Sequence, residues 1–70
     1  MTTLGEFVRT ERKKAGLTQA ELAGKAGVGI RFVRELERGK KSLRMETVNK
    51  ALKLFGKQLG PVGLDRDSLI

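Results

Sequence analysis

The sequence predicts an all-α fold of four to five short helices in a single small domain. Apolar residues recur at spacings of three and four, as on one face of a helix, and each such stretch is followed by a glycine. A chain of 70 residues has room for one domain only, and its apolar area barely offsets the entropy lost on folding. We therefore expect a partner subunit to contribute stability.

The first two helices are each predicted by a capping box, a threonine followed three residues later by a glutamate. One box begins at Thr3, and the first helix is predicted over residues 4–15, ending at Gly16. The second begins at Thr18 and predicts a helix over residues 19–25. The chain must turn between these two helices.

Two further helices are predicted after a second turn. Gly27 lies where the chain must turn steeply with little room for a side chain, and Gly29 is the predicted N-cap of a helix over residues 30–38. Gly39 closes that helix, and the apolar period returns over residues 45–55. These two stretches complete the predicted bundle.

Residues 58–70 are predicted to form a short C-terminal extension to a domain of residues 1–57. Two glycines and Pro61 disfavour a helix over residues 58–64, whereas a short extended edge strand can form there. Residues 65–70 are predicted to be a frayed tail.

Composition excludes several classes of function. The chain has no cysteine and no histidine, so a zinc site, a thiol nucleophile and an imidazole base are absent. We expect no enzymatic activity, no cofactor and no metal. The formal net charge of +7 predicts attraction to a polyanion, either nucleic acid or an anionic membrane. Because no apolar run approaches the roughly 20 residues of a membrane span, and no signal pattern opens the chain, we expect a cytoplasmic protein.

The spacing inside residues 19–38 indicates how the second and third helices meet. Ala23 is small, Gly27 follows four residues later, and Val33 and Leu36 lie at core positions. The two helices can therefore cross closely and leave one face of the later helix free. A free helix face fits the major groove of DNA.

Residues 4–55 resemble the Cro and C1-type repressors, the XRE family of helix-turn-helix regulators. The resemblance rests on the stretches LTQAELA over residues 17–23, AGV over 26–28 and LERGK over 36–40. It implies a lambda-repressor-like DNA-binding domain, in which the third helix reads bases. The N-termini of the second and fourth helices then hold phosphates.

The resemblance places five residues of the third helix on the surface that faces the groove. They are Gly29, Ile30, Arg31, Arg34 and Glu35. Gly29 and Ile30 stand where the family often has polar readers and cannot make an amide contact to adenine, so polar reading shifts to the two arginines, which suit guanine O6 and N7. Ile30 can touch a thymine methyl group. Alternatively, each arginine contacts only phosphate.

Glu35 has two interpretations. Its carboxylate can accept a hydrogen bond from cytosine N4, or it can pair within the helix with Arg31 or Arg38. The role of Phe32 also stays open: it packs on the second helix, lies against the sugar-phosphate backbone, or contacts a protein partner.

Phosphate contacts are predicted at two places. Thr18 and Gln19 begin the second helix, where free N–H groups attract an anion, although Thr18 can be a cap and nothing else. A basic connector before the fourth helix is the second place, although such charges are often only solvated. Its cations are Arg38, Lys40, Lys41 and Arg44. Arg12 and Glu37 stand where the resembled family has a structural ion pair joining the first and third helices.

The resemblance also implies partners. One helix-turn-helix domain reads a short half-site, so a homodimer on a palindromic double-stranded operator is expected. Leu59, Val62 and Leu64 lie in the segment that could pair with its twin as a dimerisation strand. The sequence of residues 31–33 and 36–41 resembles that of HipB-type antitoxins. Those proteins repress their own operon and bind a HipA-like kinase toxin. Alternatively, the domain is a protein-interaction module that neutralises a toxin or bridges another protein, with little specific DNA binding.

Overall fold

The computed structural model of the chain describes residues 3–60, which form four helices and no strand. They are α1 (Leu4–Lys14), α2 (Gln19–Ala26), α3 (Ile30–Glu37) and α4 (Met45–Lys53). The prediction of an all-α fold is confirmed. Residues 58–60 are not in a strand, and the remainder of the predicted dimerisation strand and tail, residues 61–70, lies outside the described residues.

The two threonine caps start α1 and α2 at the predicted residues. The Thr18 hydroxyl accepts from the Glu21 N–H at 3.1 Å, and the Glu21 carboxylate accepts from the Thr18 N–H at 2.9 Å. At Thr3 the hydroxyl accepts from the Glu6 N–H at 3.2 Å. Each cap therefore satisfies donors that the first helical turn leaves without a partner.

The helices end one or two residues away from the predicted positions. α1 and α3 stop one residue earlier, α2 runs one residue further, and α4 stops two residues earlier. Gly27 has a φ of 72°, but a Cβ built there would meet no atom within 4 Å. The expectation of little room at Gly27 is therefore wrong, and its left-handed backbone is what favours glycine.

One face of every helix contributes to a single apolar core. Its buried members are Val8, Leu22, Ala23, Val33, Leu36, Val48, Ala51 and Leu52. Full burial of a valine or leucine side chain stabilises the folded state by about 1.5–3 kcal/mol. Phe32 is half-buried and packs against this core.

Gly5 is the point at which α1 lies closest to α3. A Cβ at this position would overlap the carbonyl oxygen of Leu36 and lie 3.0 Å from that of Glu37. Both of these residues belong to the last turn of α3. A side chain at Gly5 would therefore push the two helices apart.

None of the helices within residues 3–60 is long and apolar enough to cross a membrane.

Candidate nucleic-acid interface

Helix α3 has one buried face and one exposed face. Val33 and Leu36 are fully buried in the core, whereas Ile30, Arg31 and Arg34 are exposed. The helical period separates the two sets because residues three apart share a face. We refer to residues 29, 30, 31, 34, 35 and 38 as the α3 face. Three of the predicted base-reading side chains, those of Ile30, Arg31 and Arg34, therefore point away from the core.

Two adjoining clefts extend from the α3 face. The first has a volume of about 680 Å³ and is lined by Arg31, Arg34, Glu35, Arg38, Gly39 and Lys40. The second, of about 610 Å³, reaches the start of α2 and is lined by Arg9, Arg12, Thr18, Gln19, Ala20, Ile30, Arg34, Glu37 and Arg38. Arg34 and Arg38 line both. Most of the predicted base-reading and phosphate-binding side chains are thus brought together on one side of the domain.

Two of the predicted phosphate-binding cations lie outside these clefts. Lys41 is exposed and lines a smaller groove of about 380 Å³ beside the start of α1. Arg44 is exposed and is the N-cap residue of α4, with no side-chain bond to the helix. Both belong to the connector that follows Gly39. They extend the positive surface towards α4.

Glu35 is paired on both of its carboxylate oxygens. Arg31 Nε donates to Oε1 at 3.2 Å and Lys40 Nζ donates to Oε2 at 2.9 Å. The Arg31 pair is one of the two interpretations left open by the sequence, while the second cation is Lys40 rather than Arg38. The hydrogen bond from Lys40, followed by that from Arg31, holds the pKa of Glu35 below its ordinary value. The carboxylate is ionised at neutral pH.

The start of α2 faces the second cleft. Gln19 Nε2 donates to Glu37 Oε1 at 3.2 Å, which orients the amide beside Arg34 and Arg38. Thr18, which lines the same cleft, is the N-cap of α2. A helix N-terminus carries free N–H groups and a positive partial charge, which favour a phosphate. Thr18 and Gln19 therefore both lie at the start of α2, as the sequence predicted.

Arg12 and Glu37 form a bidentate ion pair between α1 and α3. Arg12 Nε and Nη2 donate to the two carboxylate oxygens at 2.7 and 3.0 Å, and Nη1 donates to the Leu17 carbonyl at 2.8 Å. The side chains are only 10% and 4% exposed. Burial raises the pKa of Glu37, but hydrogen bonds from Arg12 and Gln19 and the charge of Arg12 outweigh it and hold that pKa low. The bond to Glu37 raises the pKa of Arg12.

The predicted dimerisation residues are only partly covered by the described residues. Leu59 is half-buried against the core, and its N–H donates to Asn49 Oδ1 at 2.7 Å. Val62 and Leu64 lie outside the described residues. The chain that follows α4 is therefore attached to α4 of its own subunit up to Leu59.

Sequence reasoning missed Arg9 and the bond between Gln19 and Glu37. Arg9 lines the second cleft from α1, and its spacing of three from Arg12 was the signal that both lie on one helix side. The Gln19 bond joins residues 18 apart in different helices. Periodicity within one helix carries no signal for such a contact.

Comparison with known proteins agrees with this architecture. The family model described as helix-turn-helix matches residues 8–62. The chain is also 45% identical, over 53 residues, to a protein of Sinorhizobium fredii (strain NBRC 101917 / NGR234) described as the uncharacterized HTH-type transcriptional regulator y4mF. That similarity covers 76% of this chain and 70% of the relative. The chain therefore belongs to the helix-turn-helix family.

Proposed function

We propose that this protein is a sequence-specific transcriptional regulator that binds double-stranded DNA with α3 in the major groove. The observation that carries the proposal is the division of α3 into a fully buried face and an exposed face with two arginines. A major groove about 12 Å wide admits one helix, whose exposed side chains then reach base edges. The relative from Sinorhizobium fredii supports the same class of function by its description as a transcriptional regulator.

The charge around the α3 face supports contact with phosphates on either side of that groove. Five cations line the two clefts besides the buried Arg12: Arg9, Arg31, Arg34, Arg38 and Lys40. Lysine and arginine that neutralise phosphates release counterions, which supplies affinity and makes it salt-dependent. The start of α2, with Gln19 oriented by Glu37, offers one further phosphate site. Arg31 and Arg34 lie on the exposed face of α3, where a side chain can reach either a base edge or a phosphate.

The protein acts as a homodimer that represses its own operon from a palindromic operator. Two half-sites one DNA turn apart, about 34–36 Å, require two copies of α3 in a symmetric pair. The dimerisation surface in this proposal is the C-terminal segment with Val62 and Leu64, which continues from Leu59. Its test is the mass of the free protein and of its DNA complex by analytical ultracentrifugation, with two chains expected in each.

The binding experiment compares the promoter fragment of the protein's own gene with unrelated DNA of equal length, by fluorescence anisotropy across a salt series. We expect tighter binding to the promoter that persists at physiological salt. Arg31→Ala should weaken promoter binding about 5- to 150-fold. Lys53→Ala removes the same charge from an exposed α4 residue that lines neither cleft, and should change promoter preference little.

Equal affinity for both fragments, lost as salt rises, would contradict operator recognition. The domain would then be a protein-interaction module, and its partner would be the next target. The antitoxin role and the HipA-like kinase stay predictions of the HipB resemblance. Their test is co-purification of this protein with a kinase-like product of the neighbouring gene, when both are expressed together.

A further inference from the structure

We propose that Glu35 is a positioning residue that holds Arg31 for reading a guanine, and that it does not itself read a base. This inference rests on the proposed function, because it assigns roles within the DNA-binding surface. It changes the expectation for Glu35, which the resemblance to known repressors placed among the base-reading residues. It also gives Lys40 a role other than phosphate binding.

The hydrogen bond between Arg31 and Glu35 uses one edge of the guanidinium and leaves its end free. Arg31 donates to Glu35 through Nε, and within residues 3–60 neither Nη atom has a hydrogen-bond partner. The two Nη groups at the end of a guanidinium form the planar fork that matches guanine O6 and N7. Held through Nε, the side chain therefore presents the pair of donors that this base requires.

Relative exposure indicates which of the two side chains meets the DNA. The Arg31 side chain is 91% exposed, whereas that of Glu35 is 25% exposed. Glu35 follows Arg31 by four residues and lies one turn later on α3, so the pair shares one side of the helix. The carboxylate lies close to the protein surface and the guanidinium extends beyond it. A base edge therefore meets the arginine first.

Lys40 fixes Glu35 from the other side. Its Nζ bonds Oε2 at 2.9 Å, while Arg31 bonds Oε1. An isolated carboxylate close to DNA phosphates would be repelled, whereas this one lies between two cations and their group carries a net positive charge. The two bonds also leave the carboxylate less able to turn towards a cytosine amino group. Lys40 follows Gly39, so the turn after α3 brings it back to the helix.

Arg34 provides an internal comparison. It lies on the same exposed face and lines both clefts, but no carboxylate within the described residues bonds its guanidinium. An arginine free to rotate can follow a phosphate in many directions, whereas selection of a base requires one direction. We therefore assign base reading to Arg31, and phosphate contact to Arg34.

The experiment is selection of DNA from a random-sequence library by the full chain, followed by sequencing, for wild type, Arg31→Ala, Glu35→Gln and the double variant. Wild type should select one guanine in each half-site, and Arg31→Ala should lose preference at that position. Glu35→Gln should reduce preference at the same position by about 2- to 10-fold, the effect of freeing one long side chain. In the double variant, the Glu35 substitution should have no further effect on base preference.

Non-specific affinity supplies a second readout with the opposite sign. Loss of the Glu35 charge and release of Lys40 should strengthen binding to unrelated DNA and steepen its salt dependence, by up to about 0.9 in the logarithmic slope. Glu11→Gln is the matched control, because it removes one carboxylate charge from α1 outside both clefts. It should leave base preference unchanged. Thermal unfolding of each variant establishes that it is folded.

Three results would overturn this inference. If Glu35→Gln relaxes a cytosine position that Arg31→Ala leaves unchanged, Glu35 reads that base directly. If Glu35→Gln leaves every preference unchanged, the pair has no part in recognition. If the wild-type protein selects no sequence at all, the proposed function itself fails together with the inference, and this pattern differs from the first two because it appears without any substitution.

Discussion

Within residues 3–60, two arginine–glutamate pairs involve a glutamate of α3, and they differ in burial and in how many arginine donors they use. In the pair of Arg12 with Glu37, all three guanidinium nitrogens have protein partners and the side chains are 10% and 4% exposed. In the pair of Arg31 with Glu35, one nitrogen has a partner and the arginine is 91% exposed. The first arginine joins two helices of the fold, while the second keeps both Nη groups without a hydrogen-bond partner within residues 3–60.

The same kind of ion pair therefore occurs in two different surroundings within residues 3–60. A buried pair whose partner is removed leaves a charge without compensation, whereas an exposed pair exchanges its bonds with water at little cost. Residue type alone does not distinguish the two pairs. Burial and the number of free donors do.

The largest expected effect is on the buried pair. Glu37→Gln should lower the free energy of unfolding by about 3 kcal/mol, because Arg12 then stays buried without its counter-charge. Glu35→Gln, the same chemical change in the exposed pair, should change stability far less. Urea unfolding of both variants measures the comparison. Equal losses would mean that burial does not separate the two pairs.

The double variant Arg12→Met with Glu37→Leu sharpens the same comparison. Apolar side chains of similar volume remove both charges together, so this protein should be more stable than either single variant. It still loses the bond from Arg12 to the Leu17 carbonyl and the bond from Gln19 to Glu37. A loss equal to the sum of the single losses would contradict the assignment of an ion pair.

The glycine contact tests whether packing, as well as charge, holds α1 against α3. Gly5→Ala should cost about 1–3 kcal/mol, because its Cβ would overlap the Leu36 carbonyl. Gly24→Ala is the matched control within α2: its Cβ meets no atom within 4 Å, and it should gain about 0.5–1 kcal/mol from helix propensity. Thermal unfolding of both proteins gives the two signs. A neutral Gly5→Ala would indicate that the helices can separate freely.

Acidification should weaken the buried pair. The pKa of Glu37 is held below its ordinary value of 4.5, so its contribution to stability is present above pH 4.5 and is lost as pH falls through the lower folded-state value. The stability difference between wild type and Glu37→Gln should therefore shrink as pH decreases. The lowered pKa values of Glu21 and Glu35 act in both proteins and cancel in the difference. A difference that stays constant to low pH would contradict this assignment.

The smallest expected effect is the salt response of the exposed pair. Raising ionic strength from 0.1 to 1 M shortens the screening length from about 10 to about 3 Å. Any stability difference between wild type and Glu35→Gln should then vanish, whereas the difference for Glu37→Gln should persist. Unfolding in urea at the two salt concentrations measures both. If the stability difference between wild type and Glu37→Gln disappeared at 1 M salt, the pair of Arg12 with Glu37 would be exposed to solvent rather than buried.

The fold could be predicted largely because its signals are local. The capping box of Thr18 and Glu21 formed where the sequence indicated it, and glycines with left-handed backbone follow α1 and α2. The close approach at Gly5 could not be predicted, since a glycine inside a helical pattern resembles a weak point until its neighbour is known. Helix ends shifted by one or two residues because terminal turns depend on tertiary contacts.

The candidate site was predictable in its members and less so in their contacts. The exposed face of α3 followed from its period, but the bond from Lys40 to Glu35 crosses the turn at Gly39, which no helical spacing describes. The bond from Gln19 to Glu37 joins two helices in the same way. Hydrogen bonds between side chains of different helices can be identified only once the packing of those helices is known.

The contact of Gly5 with the last turn of α3 also has a consequence for local opening of the fold. Since the backbone of α1 lies directly on the carbonyl groups of Leu36 and Glu37, α1 cannot detach without exposing that turn. Elements that can open only together form one cooperative unit and share a free energy of opening, which amide hydrogen exchange measures. Amide protons of α1 and of the last turn of α3 should therefore give the same free energy of opening.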